Sequence, residues 1–338
     1  MNVSSGEATA PAKQRVERLP ASILGGDPFN QFRFLYRRDR LWKLFDEDYC
    51  LSVMRAAYQA GERAFDLSFE ENTRLMRKLI EETGEQLVGF GNPTWEQGVI
   101  LNGRCIQYSR DRILKTMVER LLEPRLAQMV EDKLSKEDLL VFGYDHNAEP
   151  LSDEEIATIY LDHGRLRNRL AIFGDCQYIF IGGSDADWLV SLGRVDILGE
   201  IARVVREAGF IPIILCQYAT TVLPAVEAAR IDVAGYAVPL NREWSWFSRD
   251  ECVEIVKNIH KPVIAFMPLA SGNLRKDVRG ALDWLYSEIG VESILYGTAT
   301  PEHAIETTRA AQEARQAADA MRQSNPSGKQ VIRQPDSQ

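Results

Sequence analysis

The chain has 338 residues with 45% hydrophobic content, enough for one large core, and its 40 Lys and Arg against 49 Asp and Glu give a net charge of -9 and a pI near 5.2. That balance disfavours a nucleic-acid partner, which needs a clustered basic surface for its phosphates, and no apolar run approaches the roughly 20 residues of a membrane-spanning helix. Five cysteines with no CxxC pair argue against a disulfide framework and a zinc site, and the cytoplasm is the expected compartment.

Residues 1–18 lack an apolar stretch, so they do not read as a signal peptide and are expected to form a disordered tail. From about residue 20 to 311, strand and helix patterns alternate, which predicts βα units around a parallel sheet. No Gly/Ser-rich or Pro-rich linker interrupts residues 19–311, and barrels of about 250 residues are commonly one unit. Nine segments read as strands: Ile23 to Gly26, Ala64 to Ser68, Gln86 to Gly91, Leu139 to Tyr144, Tyr178 to Gly182, Pro212 to Gln217, Val233 to Val238, Val263 to Met267 and Ser293 to Tyr296. An eight-stranded barrel holds one fewer. Either the first is a plug or entry strand, or one of the segments around Val88 and Val141 belongs to an insertion.

Between the strands, apolar stripes such as Val53, Met54, Ala57 and Leu75, Leu79, Ile80 mark the core faces of helices. The basic run Arg33, Arg37, Arg38, Arg40, Lys43 reads as a solvated helix face. Gly98 to Gln107 reads as a hairpin turning at Asn102-Gly103. Asp111 to Leu134 reads as a long helix that Pro124 should kink. Together they predict an insertion near residues 93–135, placed where it could cover the barrel mouth. Ser152 and Ser248 begin helices as capping-box residues. Residues 312–338 are expected to continue the last helix to about Met321 and then to be disordered.

Several stretches carry a family resemblance. Ile23-Leu24-Gly25-Gly26-Asp27-Pro28-Phe29, a helix ending in Ala60-Gly61, and Ala64-Phe65-Asp66 open the chain. Asp232 to Asn241 follows in the middle, then Met267-Pro268-Leu269-Ala270-Ser271-Gly272 and Gly297-Thr298-Ala299-Thr300-Pro301-Glu302 close it. This wording resembles the aldo-keto reductase superfamily, which implies a (β/α)8 TIM barrel, an oxidoreductase acting on a small carbonyl or hydroxyl compound, and NAD(P)H as cofactor. The resemblance puts Asp66 on the family's catalytic aspartate, and Thr298, Thr300, Glu302 and Glu306 at the adenosine end of the cofactor site. It also exposes departures. Glu71 stands where the proton-donating tyrosine is expected, no lysine ends the third strand at Gly91-Asn92 or at Gly143-Tyr144-Asp145, and Gly183 stands where a histidine is expected. No arginine follows Gly297, which argues against selection for a 2′-phosphate.

Barrels carry their chemistry on the loops after the strands. There the sequence places Asp66 with Tyr144, Asp145 and His146 as candidate catalytic residues, and Asn92, Trp95, Asp185, Gln217, Asn241 and Trp244 as candidate substrate contacts. A histidine shuttles protons near neutral pH and an adjacent carboxylate can fix its tautomer, so Asp66 and His146 are expected to divide the acid and base work. Asp66, Asp145, His146 and Asp185 have no diagnostic metal-ligand spacing, and no metal is expected. A non-redox enzyme (lyase, isomerase or hydrolase) and a barrel that binds a small molecule without turnover remain as alternatives. The oligomeric state stays open.

Overall fold

In the computed structural model, which describes residues 18–30, 42–94, 96–121, 145, 147–243 and 249–324, short apolar runs bounded by glycines and polar turns form eight parallel strands. In chain order the strands are β1 (Ser22–Leu24), β2 (Ala64–Leu67), β3 (Val88–Gly91), β4 (Val99–Leu101), β5 (Arg104–Cys105), β6 (Tyr160–Leu161), β7 (Tyr178–Gly182), β8 (Ile211–Leu215), β9 (Tyr236–Pro239), β10 (Val263–Phe266) and β11 (Ser293–Tyr296). All but β4 to β6 close one barrel in the order β1-β11-β10-β9-β8-β7-β3-β2. The architecture is thus the expected (β/α)8 type.

Alternation along the strands separates two apolar layers. Ile23, Ala64, Phe90, Phe180, Ile213, Ile264 and Phe266 fill the lumen, where Phe90 stacks on Tyr178 at 4.6 Å and on Phe180 at 5.4 Å. Leu24, Phe65, Leu67, Ile179, Ile181, Ile214 and Ile294 face the helices. The lumen is therefore a packed core, and polar chemistry is confined to its ends.

The pairing decides between the alternatives for the ninth segment. β1 pairs with both β2 and β11, so the first segment is a barrel strand rather than a plug. β3 pairs directly with β7, through Phe90↔Tyr178 and Gly91↔Ile179, so the barrel closes without Leu139 to Tyr144. A run such as Leu139-Leu140-Val141-Phe142 has no period that distinguishes a buried strand from other buried structure; that run lies outside the described residues. The excursion between β3 and β7 spans residues 92–177, well past the expected 135. Within it, Asn102 (φ 50°) and Gly103 (φ 74°) turn the β4–β5 hairpin as expected, and β6 adds a third antiparallel strand to β4.

The helices begin where the sequence offers caps. α1 (Glu47–Gln59) starts on Asp46, whose carboxylate accepts from Asp48 N at 3.0 Å. α2 (Glu70–Thr83) ends on Gly84 at φ 69°. In the excursion lie α3 (Arg110–Leu121), α4 (Asp153–Ala157), which Ser152 and Glu155 open as a capping box, and α5 (His163–Leu170). Outside the barrel follow α6 (Ser184–Ser191), α7 (Val195–Glu207), α8 (Ala219–Ala228), α9 (Arg249–Asn258) and α10 (Val278–Asp283). Pro124 and Ser248 lie outside the described residues. None of the described helices is long and apolar enough to cross a membrane.

The last helix, α11 (Pro301–Ser324), buries Ala311, Ala314 and Ala318, packs on α1 and binds the barrel seam. Arg315, 5% exposed, donates to Glu292 at 2.6 Å, and Arg18 donates to Asp319 at 2.6 Å. Tyr286 donates to the carbonyl of Ala21. At the same end, Glu62 is buried and accepts from Ser22 Oγ at 2.5 Å and from the amides of Arg63 and Ala64, yet burial still raises its pKa to about 7.

Candidate active site

The inward parity of β2 carries Asp66 to the carboxyl end of the barrel with 5% exposure. Its Oδ2 accepts from the Gly26 amide at 3.1 Å, while its Oδ1 is buried with no hydrogen-bond partner. Burial, and then the negative charge of Asp27, raise its pKa to about 7 against the opposing pull of the Gly26 amide and the nearby Asn92 side chain. Asn92 approaches Asp66 without a formed bond to Oδ1; its own oxygen accepts from Thr94 Oγ1 at 2.7 Å. Asp27 sits in the 3-10 turn after β1, open to solvent yet enclosed enough for burial to raise its pKa as well. Two interacting carboxyls hold the second proton more tightly than either would alone.

This geometry depends on close backbone approach. A Cβ on Gly26 would lie 2.4 Å from the Asp66 carbonyl oxygen, so only glycine fits there. Buried Asn72, from α2, fixes the same turn by donating to the Gly26 carbonyl at 3.0 Å while its oxygen accepts from Phe69 N at 3.2 Å.

Across the mouth, β7 ends in Gly182 (φ 98°) and Gly183 (φ 61°, ψ -138°). Gln97, from the excursion, satisfies Gly182 twice: its Oε1 accepts from the amide at 2.7 Å and its Nε2 donates to the carbonyl at 2.8 Å. The same Nε2 lies 3.2 Å from Asp185 Oδ2, and Gln107 donates to Asp185 Oδ1. Asp185 is 1% exposed, with burial raising its pKa well above the usual range, and both its oxygens tie the excursion to the first turn of the helix after β7. Asp187, absent from the sequence-derived candidates, accepts from the amides of Gln217 and Tyr218, each at 2.9 Å, and burial raises it to about 7. Burial and Asp187 push the Tyr218 phenol up to about 12, which makes it a poor proton donor near neutral pH. Gln217 Oε1 is buried without a partner, and the parity of Ile213 and Leu215 carries this residue toward the lumen.

The loops after β10 and β11 complete the rim. Met267 (φ 54°), Ala270 (φ 49°), Ser271 (φ 54°) and Gly272 (φ 91°) adopt left-handed backbone in one short stretch, a strained conformation of the kind that clusters at binding sites. Asn241 is fully buried and donates to the Met267 carbonyl at 3.2 Å. Thr298 and Thr300 are 6% and 7% exposed. Thr298 Oγ1 bonds within its own turn, and Thr300 Oγ1 accepts from His303 N at 3.3 Å to open α11. Glu302 and Glu306 are exposed on the first turns of that helix.

Asp145 lies in an exposed turn, accepting from Asn147 N at 2.9 Å. Tyr144, His146, Trp95 and Trp244 lie outside the described residues, and with them the expected Asp66–His146 pair. Asp27, Gln97 and Asp187 went unnoticed in the sequence because their contacts join strands and loops far apart in the chain. For Asp27 a signal existed: it follows the glycine pair that ends β1.

No family model matches the chain, and no curated protein does. Among solved structures it is similar to a putative aldo-keto reductase from Pseudomonas aeruginosa, at 15% identity over 87% of this chain and 90% of that one with a TM-score of 0.49. It is also similar to an aldo-keto reductase from Bacillus halodurans in its holo form (11% identity, 89% and 91% covered, TM-score 0.49) and to one from Bombyx mori in complex with NADP (11%, 88% and 89%, TM-score 0.47). Likeness at this level leaves the chemistry to be argued from the site itself.

Proposed function

We propose that the chain is a divergent aldo-keto-reductase-like oxidoreductase that interconverts a small carbonyl compound and its alcohol, with Asp66 as the proton donor. The observation that carries this reading is a 5% exposed carboxyl with a free Oδ1 and a pKa of about 7 at the barrel mouth. In the reduction, the carbonyl carbon gains a hydride and the oxygen takes the proton of Asp66, which is left as a carboxylate and recovers a proton from solvent past Asp27. Burial and Asp27 thereby do what a neighbouring cation does for a tyrosine: they bring the acid's pKa to the working pH.

A nicotinamide cofactor would supply or accept the hydride when bound. The buried, unpartnered Gln217 Oε1 fits a carboxamide donor, and Thr298, Thr300, Glu302 and Glu306 would border the adenosine end. Exposed carboxylates there, with no cation in residues 297–300, fit NADH better than a cofactor bearing a 2′-phosphate.

The test is titration with NADH and NADPH, followed by aldehyde reduction across pH. The expected outcome is NADH binding, a reduction rate that falls as pH rises through about 7 because the acid form is lost, and a loss of about 100-fold or more in Asp66→Asn. Absence of binding by either nucleotide overturns the reading. The coupling of Asp27 and Asp66 favours one second reading, a non-redox enzyme whose paired carboxyls act as acid and base on a small substrate. Turnover without any nucleotide would favour it.

A further inference from the structure

Asp66 and Asn92 end neighbouring strands on the lumen side. Asp66 is in register with Phe90 of β3, and Asn92 lies two residues further on, so strand parity turns both side chains to the same face. The ladder runs on to Asn92, whose amide donates to the Leu67 carbonyl at 2.9 Å and fixes its backbone beside Asp66. The far side of its carboxamide is held by Thr94. Asn92 Oδ1 accepts from Thr94 Oγ1 at 2.7 Å and, more weakly, from Thr94 N at 3.4 Å. A backbone N–H can only donate, so the end of the carboxamide that faces Thr94 is the oxygen and the end left for Asp66 is the nitrogen. Thr94 in turn is seated against Gly183, where an added Cβ would lie 2.8 Å from Thr94 Cβ and 3.3 Å from Thr94 Oγ1.

A carboxamide can act on a carboxyl in two opposite ways. Its N–H donates to a carboxylate and favours the ionised form, whereas its oxygen accepts from a protonated carboxyl and favours the neutral form. In the orientation found, Asn92 lowers the pKa of Asp66 against burial and the charge of Asp27. Among the described residues Asp27 is the charged group that faces Asp66; the other groups packed there are neutral, the Gly26 amide on Oδ2 and Asn72 behind the Gly26 turn. We infer that Thr94 is a positioning residue that locks Asn92 with its nitrogen toward Asp66, so that the carboxylate left when Asp66 gives up a proton is met by a donor. The catalytic meaning of this lock rests on Asp66 being the acid of the reaction proposed above. The lock itself does not, and it is tested on Asp66 without substrate or nucleotide.

The experiment is a carbon NMR titration of the aspartate carboxyls in the full chain, with the Asp66 resonance assigned by its loss in Asp66→Asn. Thr94→Val keeps the branched shape beside Gly183 and removes the hydroxyl donor. Freed to turn over, the carboxamide offers its oxygen to the protonated carboxyl, and the Asp66 midpoint is expected to rise by about half a pH unit or more. Thr94→Ser packs less well but keeps the hydroxyl, and is expected to titrate as the unaltered chain does, which separates positioning from packing. Asn92→Ala removes the donor altogether and is expected to raise the midpoint at least as far, which keeps the test decisive if Thr94→Val fails to fold. An unmoved midpoint in folded Thr94→Val or Asn92→Ala, or an equal rise in Thr94→Ser, would overturn the inference. The expected shifts in a chain that reduces no aldehyde would uphold the inference and count against the reaction alone.

Discussion

Gly183 stands at a place in the barrel mouth where a side chain does not fit. A Cβ there would meet Thr94 Cβ at 2.8 Å, and φ 61° with ψ -138° is a conformation that L side chains avoid. Gly183→His is therefore expected to lower stability by ~1–3 kcal/mol from backbone strain alone and to leave carbonyl reduction no faster; denaturant melts and steady-state rates check both. A faster enzyme would show that the mouth has room for an imidazole at this position. The place of Asp66 at the carboxyl end of β2 was legible in the sequence because it ends a strand pattern, and strand ends of a barrel point into its mouth. Its elevated pKa was not, since that arises from burial by elements that meet only in the fold and then from Asp27.

At the scale of elements, the excursion between β3 and β7 packs Val99, Leu101, Ile106 and Leu166 into the main core and is also held by one polar side chain. Gln97 occupies both backbone groups of Gly182 and a carboxyl oxygen of Asp185, so Gln97→Ala leaves buried polar atoms unmet. A loss of about 1–3 kcal/mol per orphaned group is expected, together with faster hydrogen exchange in β4 and β5 than in the barrel strands. Equal exchange in both would show that the excursion is held elsewhere. The barrel strands were legible because each is a short apolar run between turn residues. The extent of the excursion was not, because a run such as Leu139 to Phe142 carries no period and only pairing reveals that β3 meets β7 directly.

For the whole molecule, buried carboxyls set the response to pH, with Asp185 raised well above the ordinary range and three others raised less far. Glu62, Asp66 and Asp187 are each raised to about 7, from ordinary values of 4.5, 3.8 and 3.8. A raised pKa means that the fold keeps a proton the unfolded chain has already lost, so this stability is full below about pH 4 and is lost as pH rises through 7. Ion-paired Glu155, held at about 2 chiefly by Arg112, acts in the opposite sense, but its contribution is complete above pH 4.5 and does not change in this window. The melting temperature should thus fall between about pH 5 and about pH 8. A flat or rising profile would mean that these groups ionise within the fold at little cost. Asp66→Asn should flatten the slope in proportion to its share.

The seam between β1 and β11 has a kinetic consequence. Its clamps join residues 265 apart, as in Tyr286 to Ala21, and 301 apart, as in Arg18 to Asp319. Contacts of such separation are the slowest a chain makes, so ring closure comes late, after the βα units between have formed. Until then β1 and β11 each present an open row of amides and carbonyls, a template for pairing with another copy. The number of chains per unit volume during refolding, rather than the strength of the finished seam, then decides whether a barrel closes on itself.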